Sequence, residues 1–249
     1  MNDPTQRNLD YYARLTKGRS DYWRYMPAPR MRVDTILRDL VRHSPASVID
    51  IGCGDGSLLA QIHRVLPQAR LAGVDLSPTQ VAQNSELMPE IAWYAADAES
   101  APLTGAGVFD AVVASEIVEH LGDPARFLRN IRSLAAPHAV LLLTTQSGRV
   151  GTTERFVGHV RHFSAGDMSA LLATSGWNPE KVWNAGFPFH DLSKRIANLR
   201  PRQTMSAFGE REYGAPQRFV SGVLRLLFHL NSTSRGAQLY AVARRSSDG

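Results

Sequence analysis

The segment Ser115–Leu121 contains the side chains in this sequence that are best suited to move a proton or to bind a metal ion. It holds Glu116, Glu119 and His120, and His162 follows later in the chain. Residues three and four positions apart share one face of a helix, so a helical turn here would align the first three. Carboxylates and imidazoles act as general bases and as ligands of divalent cations. A structural role is the third alternative, because glutamates also stabilise the first turn of a helix.

A buried strand that breaks into a glycine-rich loop predicts a ligand pocket upstream of this segment. The strand Val48–Ile51 leads into Gly52, Gly54 and Gly56, and a helix is expected from Ser57. Glycines permit positive φ and let a ligand approach the bare backbone, and the helix N-terminus adds N–H donors. A dehydrogenase fingerprint would need glycine in place of Ser57, and a phosphate-binding loop would need lysine near its end. The loop alone leaves the ligand open.

Two acidic residues stand where the next predicted strands end. Asp75 follows the apolar run Leu71–Val74, and Asp97 follows Ile91–Ala96. The carboxyl ends of parallel strands line the ligand crevice of such a sheet. Carboxylates at this edge can accept hydrogen bonds from a ligand. Helix capping is the structural alternative, although Ser77-Pro78 already supplies the cap after Asp75.

Together, these motifs resemble the class I S-adenosylmethionine-dependent methyltransferases from about Val48 to about Trp177. The resemblance implies a doubly wound, mostly parallel, Rossmann-like α/β sheet of seven strands in the order 3-2-1-4-5-7-6. It implies S-adenosylmethionine as the cofactor and S-adenosylhomocysteine as its product. It also implies an enzyme that transfers a methyl group by in-line displacement.

The resemblance assigns each motif to one part of the cofactor. Val48–Gly56 would lie near the methionine moiety, Gly73–Ser77 near the ribose, and Asp97–Glu99 near the adenine. The fourth motif, Phe109–Glu116, would pass beneath the sulfonium. The cofactor-binding residues implied in this way are Asp50, Gly52, Cys53, Gly54, Gly56, Asp75, Leu76, Asp97, Ala98 and Ser115.

Methyl transfer asks the protein mainly to hold the acceptor in line with a methyl group that the sulfonium already activates. A hydroxyl or amine acceptor must also lose a proton, so a base is expected near the sulfonium. We predict His120 as this base, with Glu119 or His162 behind it and Glu116 on the same face. The predicted acceptor is a small molecule, methylated on oxygen, nitrogen or an activated carbon.

Two further interpretations stay open. Glu-x-x-Glu-His-Leu with a later histidine also resembles the small-RNA 3′-terminal 2′-O-methyltransferases, in which two glutamates and two histidines hold a divalent metal. The ligands here would be Glu116, Glu119, His120 and His162. Ubiquinone-pathway O-methyltransferases share the pattern, and Arg161–Ser164 resembles that small-molecule group more, so we favour a small-molecule partner over nucleic acid and do not favour a metal. The other interpretation is a cofactor-binding or regulatory protein without catalysis.

The length and the apolar pattern predict one α/β core with appendages. The chain has 249 residues, of which 43% are hydrophobic, enough for a full core. We divide it into an N-terminal helical lid (1–43), a cofactor-binding core (44–186), an insertion expected to cover the substrate (187–235), and a last strand with the tail (236–249). Apolar spacing predicts a helix over Met31–Val41 and strands over Val140–Thr145, Lys181–Ala185 and Gln238–Ala243. The aromatic segment Tyr11–Tyr25 would either fold over the cofactor or pack against the sheet edge.

Positive charge is concentrated near the C-terminus. The formal net charge is +5, and residues 187–249 contain ten Lys/Arg against four Asp/Glu. Such a segment can bind nucleic acid, an acidic membrane surface or a phosphorylated substrate, but the arginines are scattered and we expect a solvated surface. The one cysteine, Cys53, excludes an internal disulfide. We expect a cytoplasmic protein without integral membrane contact, and a homodimer is left open.

Overall fold

The structure, a computed structural model, describes residues 22–200, 202–204 and 212–247. Tyr11 and Tyr12 of the expected aromatic lid lie outside the described residues, as do residues 205–211 of the predicted insertion.

One seven-stranded sheet forms the centre of the molecule, with the order β3-β2-β1-β4-β5-β7-β6. The predicted strand order is therefore confirmed. The first five strands run parallel, and β7 runs antiparallel to both of its neighbours. In chain order the strands are β1 (Ser47–Ile51), β2 (Arg70–Asp75), β3 (Ala92–Ala95), β4 (Phe109–Ser115), β5 (Ala135–Gln146), β6 (Trp177–Ala185) and β7 (Gln238–Arg245).

Helices connect these strands and cover both faces of the sheet. Within the described residues they are α1 (Tyr22–Tyr25), α2 (Pro27–His43), α3 (Ser57–Val65), α4 (Pro78–Leu87), α5 (Pro124–Arg132), α6 (Thr152–Phe156), α7 (Ala165–Thr174), α8 (Phe189–Leu199) and α9 (Ala215–Phe228). A short 3₁₀ helix spans Val118–His120.

Alternating strand residues divide the core into two layers. In β1, Ile49 and Ile51 pack with the buried residues of α5 and α7, whereas Val48 packs with those of α2 and α3. Successive side chains of a strand point to opposite faces, so a continuous apolar run supplies both layers at once. This arrangement leaves the carboxyl ends of the parallel strands as the place where loops can hold a ligand.

The sequence predicts a helix start at Asp123-Pro124, a capping box at Ser164–Asp167 and a helix end at Gly176. The Asp123 side chain accepts from the backbone N–H of Arg126 at 2.9 Å, and Ser164 and Asp167 form the reciprocal capping box. Gly176, with φ +82°, follows the end of α7. The structure confirms these helix ends. They could be predicted because capping depends only on residues that are close in sequence.

Three elements begin well before their predicted start. The helix expected over Met31–Val41 begins at Pro27 and ends at His43. The strand expected from Val140 begins at Ala135, and the strand expected from Lys181 begins at Trp177. Exposed polar residues interrupt the apolar pattern at the start of both strands. The backbone pairing continues through these residues, so the apolar pattern alone did not reveal it.

The insertion between β6 and β7 packs against the N-terminal helices. Tyr25 of α1 stacks on Tyr213 with ring centroids 5.8 Å apart, and the Ser221 hydroxyl of α9 lies 3.6 Å from the Met26 sulfur. The expected helical insertion is thus present, and it contacts the chain segment that precedes the core. In the described ranges, no helix combines the length and the apolarity that a membrane crossing requires.

A glycine inside β2 provides a test of this packing. A Cβ at Gly73 would lie 2.5 Å from the Trp93 ring and 2.9 Å from Leu59 Cδ1. Gly73→Ala should lower the free energy of unfolding by about 1–3 kcal/mol, the usual cost of overpacking a core. Gly222→Ala in α9, where a Cβ would meet nothing within 4 Å, is the control and should raise it by roughly 0.5–1 kcal/mol. Urea unfolding measures both, and an unchanged midpoint for Gly73→Ala would contradict the packing.

Candidate active site

The glycine loop is fastened to the end of β2 and leaves open space beside Gly54. The backbone N–H groups of Gly52 and Cys53 both donate to the Val74 carbonyl, at 2.8 and 3.0 Å. The φ values of Gly52, Gly54 and Gly56 are +76°, +52° and +72°. Residues other than glycine rarely adopt such positive values. A Cβ at Gly54 would meet nothing within 4 Å. The loop therefore presents bare backbone to a free volume at the carboxyl edge of the sheet.

Asp75 holds the loop from the neighbouring strand. Its Oδ2 accepts from the Gly54 N–H and its Oδ1 from the Ser77 N–H, both at 2.9 Å. Burial raises the pKa of Asp75, and hydrogen bonds from the Ser77, Gly54 and Leu76 amides partly oppose this effect. A carboxylate offers about four lone pairs, so these amides do not exhaust the acceptor capacity of Asp75. Leu76 lies in the turn that these bonds shape.

Asn84 of α4 completes the clamp on Gly54 and was missed in the sequence. Its side-chain amide donates to the Gly54 carbonyl at 2.8 Å and accepts from Gln80 at 2.9 Å. Asn84 is fully buried. A polar residue on the buried face of a predicted helix is the signal that could have indicated it, because such residues need a partner.

Asp50 lies in β1 just before the loop, and Cys53 belongs to the loop; both are buried. The burial of Asp50, followed by the charges of Asp75 and Asp55, raises its pKa to about 7. Burial also raises the pKa of the Cys53 thiol, which is therefore a poor nucleophile.

Asp97 and Ala98 lie at the predicted adenine position, after β3. Asp97 Oδ1 accepts from the backbone N–H groups of Glu99 and Ser100, at 3.0 and 3.2 Å. The Asn130 side chain donates to the carbonyls of Ala98 and Glu99, each at 3.0 Å. Asp97 thus caps its own turn, which is the capping role considered for it as an alternative. A role in adenine binding stays a prediction.

Glu116 does not lie on a helical face with Glu119 and His120, so that expectation is wrong. Its φ is +56°, and its N–H donates to the Thr144 carbonyl at 2.9 Å. The pairing of β4 with β5 continues through this residue, and only Val118–His120 turns as a helix. The side chain of Ile117 lies against Gly52, because a Cβ added at Gly52 would be 2.8 Å from Ile117 Cδ1. The segment after β4 therefore borders the glycine loop.

The Glu116 carboxylate is held in a network of polar groups. It accepts from Thr144 and Gln238 through Oε1, at 3.0 and 2.9 Å, and from Gln146 through Oε2 at 2.7 Å. The Arg32 guanidinium of α2 lies 3.7 Å away. Burial alone would raise the pKa of Glu116, but Arg32 and the two amides lower it to about 2. Glu116 is therefore ionised at neutral pH. Ser115 next to it shares a 2.9 Å hydrogen bond with the Thr144 hydroxyl.

Glu119 has the opposite protonation state. Its side chain is fully buried, and its Oε2 accepts from the Thr145 hydroxyl at 2.7 Å. Its other oxygen, Oε1, has no hydrogen-bond partner among the described residues. Burial, and then the charge of Glu116, raise the pKa of Glu119 to about 8. At neutral pH it is a carboxylic acid.

Three histidines stand in contact beside Glu119. The rings of His120 and His159 meet edge to face at a centroid distance of 4.7 Å, and His159 Nδ1 lies 2.9 Å from His162 Nε2. Burial lowers the pKa of His120 and of His162 to about 4, and burial with the neighbouring His120 lowers that of His159 to about 2. All three are neutral imidazoles at pH 7. The sequence analysis did not identify His159. Its spacing from His162, His-x-x-His, is the pattern that could have indicated it.

The same cluster contains a potential metal site with a different composition from the one predicted. One donor atom from each of Glu119, His120 and His159 lies within 4.8 Å of the others. Glu116 is engaged by Arg32, and His162 stands behind His159. Two imidazoles and one carboxylate suit a divalent transition metal. The donor set fits such an ion, although Glu119 would have to release its proton first.

The insertion covers this side of the site. Lys194 of α8 donates to the Gln146 side chain at 2.7 Å and lies 3.3 Å from Glu154 Oε1. Asn198, one turn later, accepts from the Thr153 N–H at 2.9 Å. These bonds connect α8 to α6 and to the network around Glu116. The inner face of α8 therefore belongs to the wall of the site.

The buried carboxyl of Asp50 predicts a change of stability with pH. Its folded pKa is raised above the ordinary value of 3.8, so the stability that it contributes is complete below pH 3.8 and is lost as the pH rises through about 7. Asp50→Asn removes this loss. Relative to the wild type, the variant should therefore gain stability between pH 5 and pH 8 in urea unfolding without ligand. A stability difference that stays constant or shrinks over this range would contradict the burial of an uncompensated carboxyl.

Comparison with known proteins identifies the family. The sequence model of a family described as "Methyltransferase domain" matches residues 22–182. An uncharacterised methyltransferase of Mycobacterium bovis is 33% identical over 112 residues, which cover 45% of this chain and 56% of that protein. A ubiquinone biosynthesis O-methyltransferase of a Caulobacter species is 39% identical over 106 residues, covering 39% of this chain and 40% of that protein. The chain thus aligns with about half the length of these relatives.

The fold agrees with this assignment. The N-methyltransferase NodS of Bradyrhizobium japonicum, solved with S-adenosyl-L-homocysteine, superposes with a TM-score of 0.59 over 99% of this chain and 100% of that chain, at 19% identity. The family match covers most of the chain, and the strand order is the one its motifs imply. The chain belongs to the class I S-adenosylmethionine-dependent methyltransferase family.

Proposed function

We propose that this protein transfers a methyl group from S-adenosylmethionine to oxygen, nitrogen or an activated carbon of a small molecule. The observation that carries the proposal is the cradle between Gly54 and Asp75, where the open space beside the bare Gly54 backbone adjoins the partly exposed carboxylate that binds its N–H. A ribose diol matches two adjacent acceptors on one carboxylate. The name of the Caulobacter relative supports a small-molecule acceptor.

The cofactor would lie across the carboxyl ends of β1, β2 and β4. In this placement Asp75 and Leu76 contact the ribose, and Asp97 with the Ala98 amide contacts the adenine. Gly52, Cys53, Gly54 and Gly56 surround the methionine moiety, with Asp50 below them and Ser115 near the sulfonium. Ile117, packed on Gly52, connects this surface to the acceptor side.

His120 would take the proton from an acceptor hydroxyl or amine. Its neutral imidazole can accept a proton at pH 7. His159 packs edge to face on the His120 ring and shares a 2.9 Å hydrogen bond with His162, which would orient the proposed base. The ionised Glu116 would stabilise the positive charge that His120 acquires.

A metal-assisted reaction is the second candidate, and the grouping of Glu119, His120 and His159 favours it. A divalent ion bound there would polarise an acceptor hydroxyl. An RNA 2′-hydroxyl would then be a candidate acceptor as well as a small phenol. Activity on small phenols or amines that survives a chelator supports the metal-free reaction. Chelator-sensitive activity on RNA would contradict the main proposal.

Removing the Asp75 carboxylate should weaken cofactor binding. Two charged hydrogen bonds to the ribose contribute about 1.5–3 kcal/mol each, so Asp75→Ala should raise the Kd for S-adenosylmethionine by about 100-fold or more. Calorimetry on the full chain measures this, with the solvent-exposed Asp34→Ala of α2 as the control. An unchanged affinity in folded Asp75→Ala protein would mean that the ribose binds elsewhere.

Replacing the proposed base should slow the chemical step and spare the cofactor. General base catalysis contributes about 100-fold or more, so His120→Gln should lower kcat by that factor while the Kd for S-adenosylmethionine stays the same. Transfer of labelled methyl groups to small phenols in the presence of a chelator is the assay, and the exposed His138→Gln is the control. Full activity of folded His120→Gln protein would exclude His120 as the base.

A further inference from the structure

The outer face of α9 is an apolar stripe that no described residue covers. Phe219, Val223 and Leu226 in the helix, and Leu230 just after it, are spaced as neighbours along one side. Their side chains are exposed by 73%, 40%, 71% and 69%. The face that the helix buries contains Ser221 and Phe228 instead. A helix that only covered the core would turn its apolar stripe inward.

The neighbouring helix α8 has a stripe of the same kind. Leu192, Ile196 and Leu199 lie four and seven positions apart, and they are 50%, 59% and 79% exposed. The two helices contact each other in the insertion. Exposed large apolar residues concentrated on one segment mark an interaction surface. We call the exposed sides of α8 and α9 the insertion face.

Positive charge flanks both stripes, and the two helices contain one acidic residue between them. Arg195 lies beside the stripe of α8, and Arg218 and Arg225 run along one flank of the stripe of α9; all three are exposed. No acidic residue occurs in α9. The one acidic residue of α8, Asp191, is engaged by the Ala237 N–H at 2.9 Å. The insertion face is thus apolar in its centre and basic at its edge.

We propose that the insertion face docks the protein on an anionic lipid surface. An apolar helix stripe bordered by arginines is the composition that lies in the plane of a bilayer interface, with the apolar side chains in the headgroup–acyl boundary and the cations on phosphates. A second copy of this chain fits less well, because a symmetric contact between two insertion faces would oppose arginines to arginines.

The docking surface and the site share one helix. Lys194 on the inner side of α8 contacts Gln146 and Glu154, while Leu192 and Ile196 on the outer side are exposed. Docking would therefore place the wall of the acceptor pocket at the lipid interface. An amphiphilic acceptor could then enter from the bilayer. This last step rests on the proposed function, whereas the docking itself does not.

Cosedimentation of the full chain with vesicles, without cofactor, tests the docking. One vesicle population is phosphatidylcholine alone, and the other contains about one third phosphatidylglycerol. We expect binding to the anionic vesicles that weakens with salt. Each arginine at the surface contributes about 1 kcal/mol, so R195E/R225E should lower the partition coefficient by about 30-fold or more. F219E/L226E should abolish binding, because charges replace the apolar anchors.

Matched substitutions elsewhere serve as controls. Leu87→Glu and Arg64→Glu replace an exposed leucine of α4 and an exposed arginine of α3, and both should leave binding unchanged. Absence of binding to anionic vesicles by the folded wild type would overturn the proposal. So would equal binding to neutral vesicles, or equal loss in the controls. A dimer in light scattering that F219E/L226E dissociates, together with no vesicle binding, would assign the face to a second copy instead.

Discussion

The bond between the Asp75 carboxylate and the Gly54 N–H is the constraint on which the rest of the site depends. It joins the loop after β1 to the end of β2 at 2.9 Å, across two strands that run parallel. Gly54 has a positive φ, its N–H donates to Asp75, and its carbonyl accepts from Asn84. Both backbone polar groups of Gly54 are thus hydrogen-bonded, and the open space beside its Cα is left for a ligand.

Burial assigns different charges to similar side chains on the acceptor side. Glu116 and Glu119 are both buried, but Arg32 and two amides keep the first ionised, and the charge of the first helps to keep the second protonated. The histidines beside them stay neutral because burial disfavours their cations. The acceptor side therefore combines the ionised Glu116, a Glu119 whose pKa is raised, and three neutral imidazoles, an arrangement suited to moving one proton.

The sequence predicted what depends on local chemistry and on the period of buried strands. The caps at Asp123 and Ser164 and the positive φ of the loop glycines follow from such signals. The strand order was instead implied by the resemblance that the ordered motifs carry. It did not predict the turn at Glu116, because the pairing of β4 with β5 beyond Ser115 is a long-range contact. His159 and Lys194 were missed for the same reason, since only the folded chain brings α8 and the loop after α6 over the end of β5.

The central claim is that the cradle of Gly54 and Asp75 holds the ribose of S-adenosylmethionine. A crystal structure of the full chain with S-adenosylhomocysteine tests it most directly. The account predicts both ribose hydroxyls within hydrogen-bond distance of the Asp75 carboxylate, and the cofactor sulfur facing the acceptor side near His120. A ribose bound away from Asp75, or a cofactor sulfur directed away from His120, would contradict it.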